Sequence, residues 1–174
     1  MALSVCLLFD PKGEHAVRAL WSRLEGHGVP TLATHTHGRH HPHLSYAVLL
    51  RWDLQAVQDA LTVLPDRGPF PMTFQGMLAF PRGRACLAPS LPAAVVARQE
   101  AVSTALSACG ALVHHHYEPG RWIPHCSLSP RANGGALPVV AQAVSDVLPL
   151  TVHAARVALV DSATGQTWLL PTTP

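Results

Sequence analysis

Two short stretches of this sequence, His43-Leu44-Ser45-Tyr46 and His125-Cys126-Ser127-Leu128, share one pattern that decides the fold. Each stretch places a histidine and a serine two positions apart, with apolar residues between and after them. Side chains at i and i+2 of a β-strand point to the same face. We therefore predict two strands, each of which presents an imidazole and a hydroxyl on one face and turns its apolar residues to a core.

The two motifs lie 82 residues apart, and the same offset superimposes the elements around them. The helix predicted over 10–27 falls on the helix predicted over 92–109, and the turn at 81–83 falls on the turn at 163–165. We predict an α+β fold of two similar lobes related by a pseudo-two-fold axis. Each lobe is a mainly antiparallel sheet with helices outside, and the active groove lies between the lobes. Chance alignment of a common β-α-β-β order is the alternative.

Apolar runs, caps and breakers define the predicted elements. Strands are predicted over Leu3–Phe9, His43–Leu50, Phe70–Phe80, Arg84–Ala88, His125–Ser129, Thr151–Val160 and Thr167–Leu170. Helices are predicted over 10–27, 53–64, 92–109 and 137–148.

Length and composition indicate one folded domain. The chain has 174 residues, within the roughly 100–200 residues usual for a domain, so we predict a single bilobal domain over 1–174 with lobes centred on His43 and His125. Its 48 % hydrophobic and 13 % charged content excludes a disordered protein. No stretch approaches the roughly 20 apolar residues of a membrane span, and the run at 5–9 lacks the features of a signal peptide. Four scattered cysteines without a C-x-x-C pair indicate free thiols, so we expect a cytoplasmic protein with no membrane partner.

The charge balance restricts the partners. There are 12 Lys and Arg against 10 Asp and Glu, too small an excess to grip a long duplex through many phosphates. A small anionic nucleotide or an RNA 3′ end fits better. The chain has no glycine-rich phosphate loop, so ATP-driven ligation is not expected, and we expect a monomer without a cofactor.

Two facing strands of this kind would bring two imidazoles and two hydroxyls to one groove. One imidazole can then remove a proton from an attacking oxygen while the other protonates the leaving oxygen. The hydroxyls can donate hydrogen bonds to phosphate oxygens as charge develops. The alternative is that both histidines are partly buried and bonded to backbone carbonyls, with the serines incidental.

The paired motifs resemble the H-x-[ST]-x motifs of the 2H phosphoesterase superfamily, which includes 2′-5′ RNA ligase-like proteins and RNA 2′,3′-cyclic phosphodiesterases. The stretch 122–128, Trp-Ile-Pro-His-Cys-Ser-Leu, is similar to the second family motif, in which proline commonly precedes the histidine. The resemblance implies a metal-independent phosphodiesterase that cleaves 2′,3′-cyclic phosphate ends of RNA or nucleotides, or 2′-5′ linkages. It carries His43 and His125 over as the acid/base pair. It makes Ser45 and Ser127 phosphate-binding residues, although threonine is commoner in the family.

Four further residues are candidates for substrate binding. Arg51 and Arg131 have the strand parity of His43 and His125 if the strands extend that far, and either would reach the phosphate. Arg121 and Trp122 precede the second motif, where the indole could stack on a base. Solvent exposure of the arginines and packing of Trp122 at the lobe junction are the alternatives.

Histidines also crowd two loops, at 35–41 and 114–116. No H-x-x-x-H pair with a carboxylate at ligand spacing accompanies them, so we assign no metal ligand. We expect these loops to border the groove and to present partly protonated imidazoles to an anionic substrate. The alternative functions are a non-catalytic module that binds RNA ends or nucleotides on the same scaffold, and a His-rich metal-binding protein. A phosphodiesterase for another cyclic phosphate, such as an ADP-ribose derivative, would use the same groove.

Overall fold

The computed structural model describes residues 2–174, which form eight strands and four α-helices. The strands are β1 (Leu3–Phe9), β2 (His43–Arg51), β3 (Phe70–Phe80), β4 (Arg84–Ser90), β5 (Leu112–Val113), β6 (Cys126–Ser129), β7 (Leu150–Asp161) and β8 (Thr167–Leu169). The helices are α1 (Pro11–Gly26), α2 (Leu54–Thr62), α3 (Ala93–Ala108) and α4 (Ala136–Ser145). The predicted α+β fold class is confirmed.

Local signals account for the helix ends. The Asp10 carboxylate accepts a hydrogen bond from the Gly13 amide at 3.1 Å and caps α1, which begins at a proline. Asp53 caps α2 in the same way through the Ala56 amide at 2.9 Å. Beyond α1 the chain turns at Gly28, whose φ of +75° is in the left-handed region that favours glycine.

All strands belong to one antiparallel sheet in the order β5-β2-β1-β7-β3-β4-β6, with β8 beside β7. At its centre β3 and β7 pair only through 70–74 and 150–154. Beyond these residues β3 pairs with β4 and β7 pairs with β1 and β8. The two central strands therefore splay apart, and the sheet curves until β2 and β6, far apart in strand order, contact each other.

Corresponding elements of the two halves keep the predicted spacing in the helices. α1 and α3 each have 16 residues, and they begin 82 positions apart. α2 and α4 also begin 82 positions apart. Two strands, however, are exchanged between the halves. β3 comes from the first half but pairs with β4, the first strand of the second half. β7 comes from the second half but pairs with β1, the first strand of the first half. The helices follow this exchange, since α1 packs against α4 and α2 packs against α3. The assignment of residues 1–174 to a single domain stays a prediction.

One apolar core joins the sheet to the helices. The apolar run of β1 is buried on both faces, as expected for a strand near the middle of the sheet. Trp21, Tyr46, Phe9 and Phe74 are the largest side chains that are fully enclosed. The main differences from the predicted elements are that α4 ends at Ser145, that His125 lies just before β6, and that β5 was not predicted. No helix within residues 2–174 is long and apolar enough to cross a membrane.

Candidate active site

The side chains of both motifs line one groove, which opens where the central strands splay apart. His43 and Ser45 come from β2, and His125 and Ser127 come from β6 and the residue before it. The groove has a volume of about 390 Å³. This volume falls in the range of roughly 300–1,000 Å³ that small-molecule sites occupy.

Each motif histidine is fixed by its own backbone. Nδ1 of His43 lies 2.6 Å from the carbonyl oxygen of His41, and Nδ1 of His125 lies 2.7 Å from that of Ile123. Because a carbonyl oxygen only accepts, both Nδ1 atoms carry a hydrogen. In both rings Nε2 is then the nitrogen left for the groove, without a proton when the ring is neutral.

Burial lowers the pKa of both motif histidines. For His43 the loss of solvent is the main cause, and the bond to the His41 carbonyl opposes it. For His125 burial is again the largest cause, and the positive charges of His43 and Arg84 lower its pKa further. The two imidazoles are therefore neutral at neutral pH, and the first proton to reach one of them disfavours a second on the other.

Each motif serine contacts a buried thiol at the groove floor. The Cys6 sulfur lies 3.9 Å from the Ser45 hydroxyl oxygen, and the Cys86 thiol donates to the Ser127 hydroxyl at 3.9 Å. Burial raises the pKa of Cys6 to about 12 and that of Cys86 to about 11, so both stay protonated. Because Ser127 accepts from its thiol, its own hydrogen is available to an oxygen in the groove.

Two tryptophans hold the backbone of the motif strands. The Trp21 indole on α1 donates to the carbonyl oxygen of Ser127 at 3.2 Å, and the Trp122 indole donates to that of Ser45 at 2.9 Å. Each tryptophan belongs to the half of the chain opposite to the serine that it holds. Through these two bonds, α1 contacts β6 and the segment before β6 contacts β2.

Among the groove-lining residues that sequence analysis did not find are Phe80, Arg84 and Tyr117. The Phe80 ring packs on His125 with centroids 5.0 Å apart. The Tyr117 phenol interacts with the Ser45 side chain, and burial raises its pKa to about 12. The pairing of β4 with β6 brings Arg84 to the groove. The signal available in the sequence was the predicted hairpin over 70–88, whose turn end carries both Phe80 and Arg84.

The expected parity of Arg51 is wrong. In β2, Ala47 is opposite Val5 and Ser45 is opposite Cys6, which leaves Tyr46 as an extra residue, a β-bulge. One inserted residue exchanges the two faces of a strand. Beyond the bulge Val48 faces the groove, and Arg51 is exposed outside the groove lining.

Arg121, Arg131 and Trp122 also lie outside the groove lining. Arg121 is exposed and pairs with Glu118 at 3.6 Å. Arg131 is exposed after Pro130, beyond the end of β6. Trp122 packs against Tyr46 with ring centroids 6.0 Å apart, so it occupies the packing position that was the alternative to base stacking.

The two histidine loops differ in their relation to the groove. His35 and His40 line it, whereas 114–116 lie outside it. Burial, followed by the nearby His37, His43 and His35, lowers the pKa of His40 to about 4. His40 is therefore neutral near pH 7, and the expectation of a partly protonated imidazole is wrong for this residue.

Comparisons with solved structures show which known folds this chain resembles. LigT from E. coli, solved in complex with NADP+, is similar over 98 % of this chain and 94 % of its own, with a TM-score of 0.62 and 12 % identity. Usb1 from Kluyveromyces marxianus matches 98 % of this chain and 96 % of its own, with a TM-score of 0.54 and 14 % identity. The PDE domain of MHV ns2 matches 97 % and 95 %, with a TM-score of 0.51 and 15 % identity. These likenesses define a 2H phosphoesterase fold.

The family follows from the sequence itself. The family model described as the 2′-5′ RNA ligase superfamily matches residues 9–166, so this chain belongs to the 2′-5′ RNA ligase superfamily of 2H phosphoesterases. No curated protein sequence gives a significant match.

Proposed function

We propose that this chain is a metal-independent phosphodiesterase that opens 2′,3′-cyclic phosphate ends of RNA or nucleotides, or cleaves 2′-5′ linkages. One observation carries the proposal: two histidines with the same backbone-fixed Nδ1 lie in one groove, each two residues before a serine. Carbonyl bonds by themselves are equally expected of structural histidines, whereas the presence of both histidines and both serines in one groove favours catalysis.

The reaction needs one proton shared by the two imidazoles. Nε2 of one ring takes a proton from the attacking water as the new P–O bond forms. Nε2–H of the other ring gives its proton to the ribose oxygen as the old P–O bond breaks. The product is a phosphomonoester and a free hydroxyl. The proton has changed rings, and exchange with solvent restores the starting state.

The serines stabilise charge on the non-bridging oxygens of the phosphate. The Ser127 hydroxyl is supported from behind by the Cys86 thiol and keeps its hydrogen for the substrate. Preorganised donors of this kind are effective because they need no reorientation during the reaction. Arg84 supplies positive charge near His125, where it favours binding of the anionic substrate.

Two similar folds support a nucleotide as the substrate. The LigT structure holds NADP+, and the ns2 domain is described as a PDE. The groove volume of about 390 Å³ suits a nucleotide end rather than a duplex.

The test is incubation of the protein with a 2′,3′-cyclic nucleotide in the presence of a chelator. We expect turnover to a nucleoside monophosphate, lost in His43→Ala and in His125→Ala. Binding without turnover would support the alternative, a non-catalytic module for RNA ends. Turnover that requires added metal would contradict the proposed mechanism.

A further inference from the structure

A second cluster of histidines lies outside the groove. Metal-binding atoms of His114, His115 and His116 all lie within 4.8 Å of one another. The rings are packed together, with centroid distances of 4.6 Å between the first two, 3.9 Å between the last two and 4.9 Å between the outer two. Consecutive side chains diverge on a regular strand or helix, whereas these three rings lie side by side where the chain enters a 3₁₀ turn at 115–117.

The backbone of this turn is anchored at both ends. The His114 amide donates to the carbonyl oxygen of Val48 in β2 at 2.7 Å, and the Tyr117 amide donates to that of His114 at 2.8 Å. The buried Gln99 side chain on α3 donates to the Tyr117 carbonyl oxygen at 2.8 Å. The three imidazoles are therefore held on a fixed platform, unlike those of a flexible histidine tail.

The donor set determines which metal fits. No carboxylate or thiol within residues 2–174 joins the group. Three neutral imidazoles suit Zn²⁺, Ni²⁺ or Cu²⁺, whereas Mg²⁺ and Ca²⁺ require oxygen ligands. We propose that His114, His115 and His116 form a divalent transition-metal site, with Zn²⁺ as the first candidate, separate from the reaction groove.

Binding of an ion changes one local hydrogen bond and requires the imidazoles to turn toward the ion. The His116 amide donates to Nδ1 of His114 at 3.3 Å, a long hydrogen bond. If His114 binds through Nδ1, this one contact is replaced by the metal bond. His115 and His116 are exposed, so an ion reaches the site from solvent and water completes its coordination.

The test uses protein without an affinity tag, stripped with a chelator and titrated with Zn²⁺ against a chromophoric competitor. We expect one saturable site in the parent protein. His115→Ala/His116→Ala should weaken Zn²⁺ binding by roughly tenfold or more, since even indirect damage to a metal site typically lowers affinity 10–100-fold. The matched control is His15→Ala/His27→Ala, which removes two exposed histidines from elsewhere on the surface.

A second readout is thermal unfolding, because an ion that binds the folded state raises Tm. Zn²⁺ should raise Tm in the parent and control proteins and have a smaller effect on His115→Ala/His116→Ala. Equal Zn²⁺ affinity in all three proteins would assign binding to another group, such as the 35–41 loop, and overturn the proposal. Absence of saturable binding to the parent protein would also overturn it. Neither readout depends on phosphodiesterase activity.

Discussion

The two halves of the groove carry the same pair of side chains on different supports. His43 and Ser45 lie within β2, a nine-residue strand between β1 and β5. Ser127 lies in β6, a four-residue strand at the end of the sheet, and His125 lies just before it. Each half has one indole on its serine carbonyl, but His125 has two further contacts from elsewhere, the Phe80 ring and the Arg84 charge. The long strand positions its histidine–serine pair through its own pairing, whereas the short one has neighbouring side chains beside its histidine.

The largest expected effect comes from removing either imidazole. His43→Ala and His125→Ala should each lower the rate by roughly 10²–10⁴-fold, the usual contribution of general acid–base catalysis. The double variant should be little worse than the worse single one, because the two act as a unit. Turnover of a 2′,3′-cyclic nucleotide measures this, with His27→Ala as the control. Full activity in His125→Ala would exclude the two-histidine mechanism.

The serines test whether the two halves bind phosphate equally. Ser45→Ala and Ser127→Ala should each lower the single-turnover rate by roughly tenfold or more, as loss of a preorganised donor does. Ser→Thr at either position keeps the hydroxyl and should preserve activity. We expect the larger loss at Ser127, whose hydrogen is freed by the Cys86 thiol. If both Ala variants react at the parental rate, the hydroxyls do not take part.

The pH profile tests the electrostatic difference between the halves. Burial lowers the pKa of both histidines from 6.5. Since kcat/KM reports the acid and base of the free enzyme, its maximum should lie below about pH 6.5. Activity falls at lower pH as the base is protonated and at higher pH as the acid loses its proton.

Arg84→Gln sharpens this test, because it removes a positive charge that lowers the pKa of His125 but not of His43. The pKa of His125 should rise, and the profile should move to higher pH. A rate that increases steadily into the alkaline range would contradict the shared-proton mechanism.

The smallest effect is expected from the indoles that hold the serine carbonyls. Trp21→Phe and Trp122→Phe each remove one hydrogen bond, worth about 1 kcal/mol of unfolding free energy. Trp21 is 1 % exposed, so its replacement also leaves a cavity and should destabilise more. Urea unfolding measures the loss, and kcat shows whether β2 or β6 has moved.

Trp168→Phe is the matched control, since its indole has no hydrogen-bond partner within residues 2–174. Equal stability of the Trp21 and control variants would show that the indole bond is unimportant.

Sequence predicted the parts of the fold that local chemistry determines. Asp10 and Asp53 mark helix starts because their carboxylates satisfy free amides there. The histidine–serine pairs were found because alternation holds over three residues of a strand. The prediction that side chains alternate between the two faces over all nine residues of β2 failed at Arg51. The bulge at Tyr46 changes the faces, and it depends on the pairing with β1, which the sequence does not show.

Residues that reach the groove through tertiary contacts had no signal of their own. Arg84 and Tyr117 are 33 positions apart and belong to no motif. They meet only because β4 pairs with β6 and the turn at 115–117 packs on β2. The metal-binding geometry of the histidine run also depends on that turn. The end of α4 at Ser145 was missed because Asp146–Leu148 contain no glycine or proline to stop a helix.

The exchange of β3 and β7 has a consequence for biosynthesis. β1 pairs with β7, so that Leu3 lies opposite Asp161 across almost the full length of the chain. At roughly 5–20 residues per second on the ribosome, one long edge of β1 stays without its partner for on the order of 10–30 s. A chaperone that covers this apolar edge during translation would protect the nascent chain from aggregation. The long sequence separation also favours slow folding, because the loop must close before the pairing stabilises it.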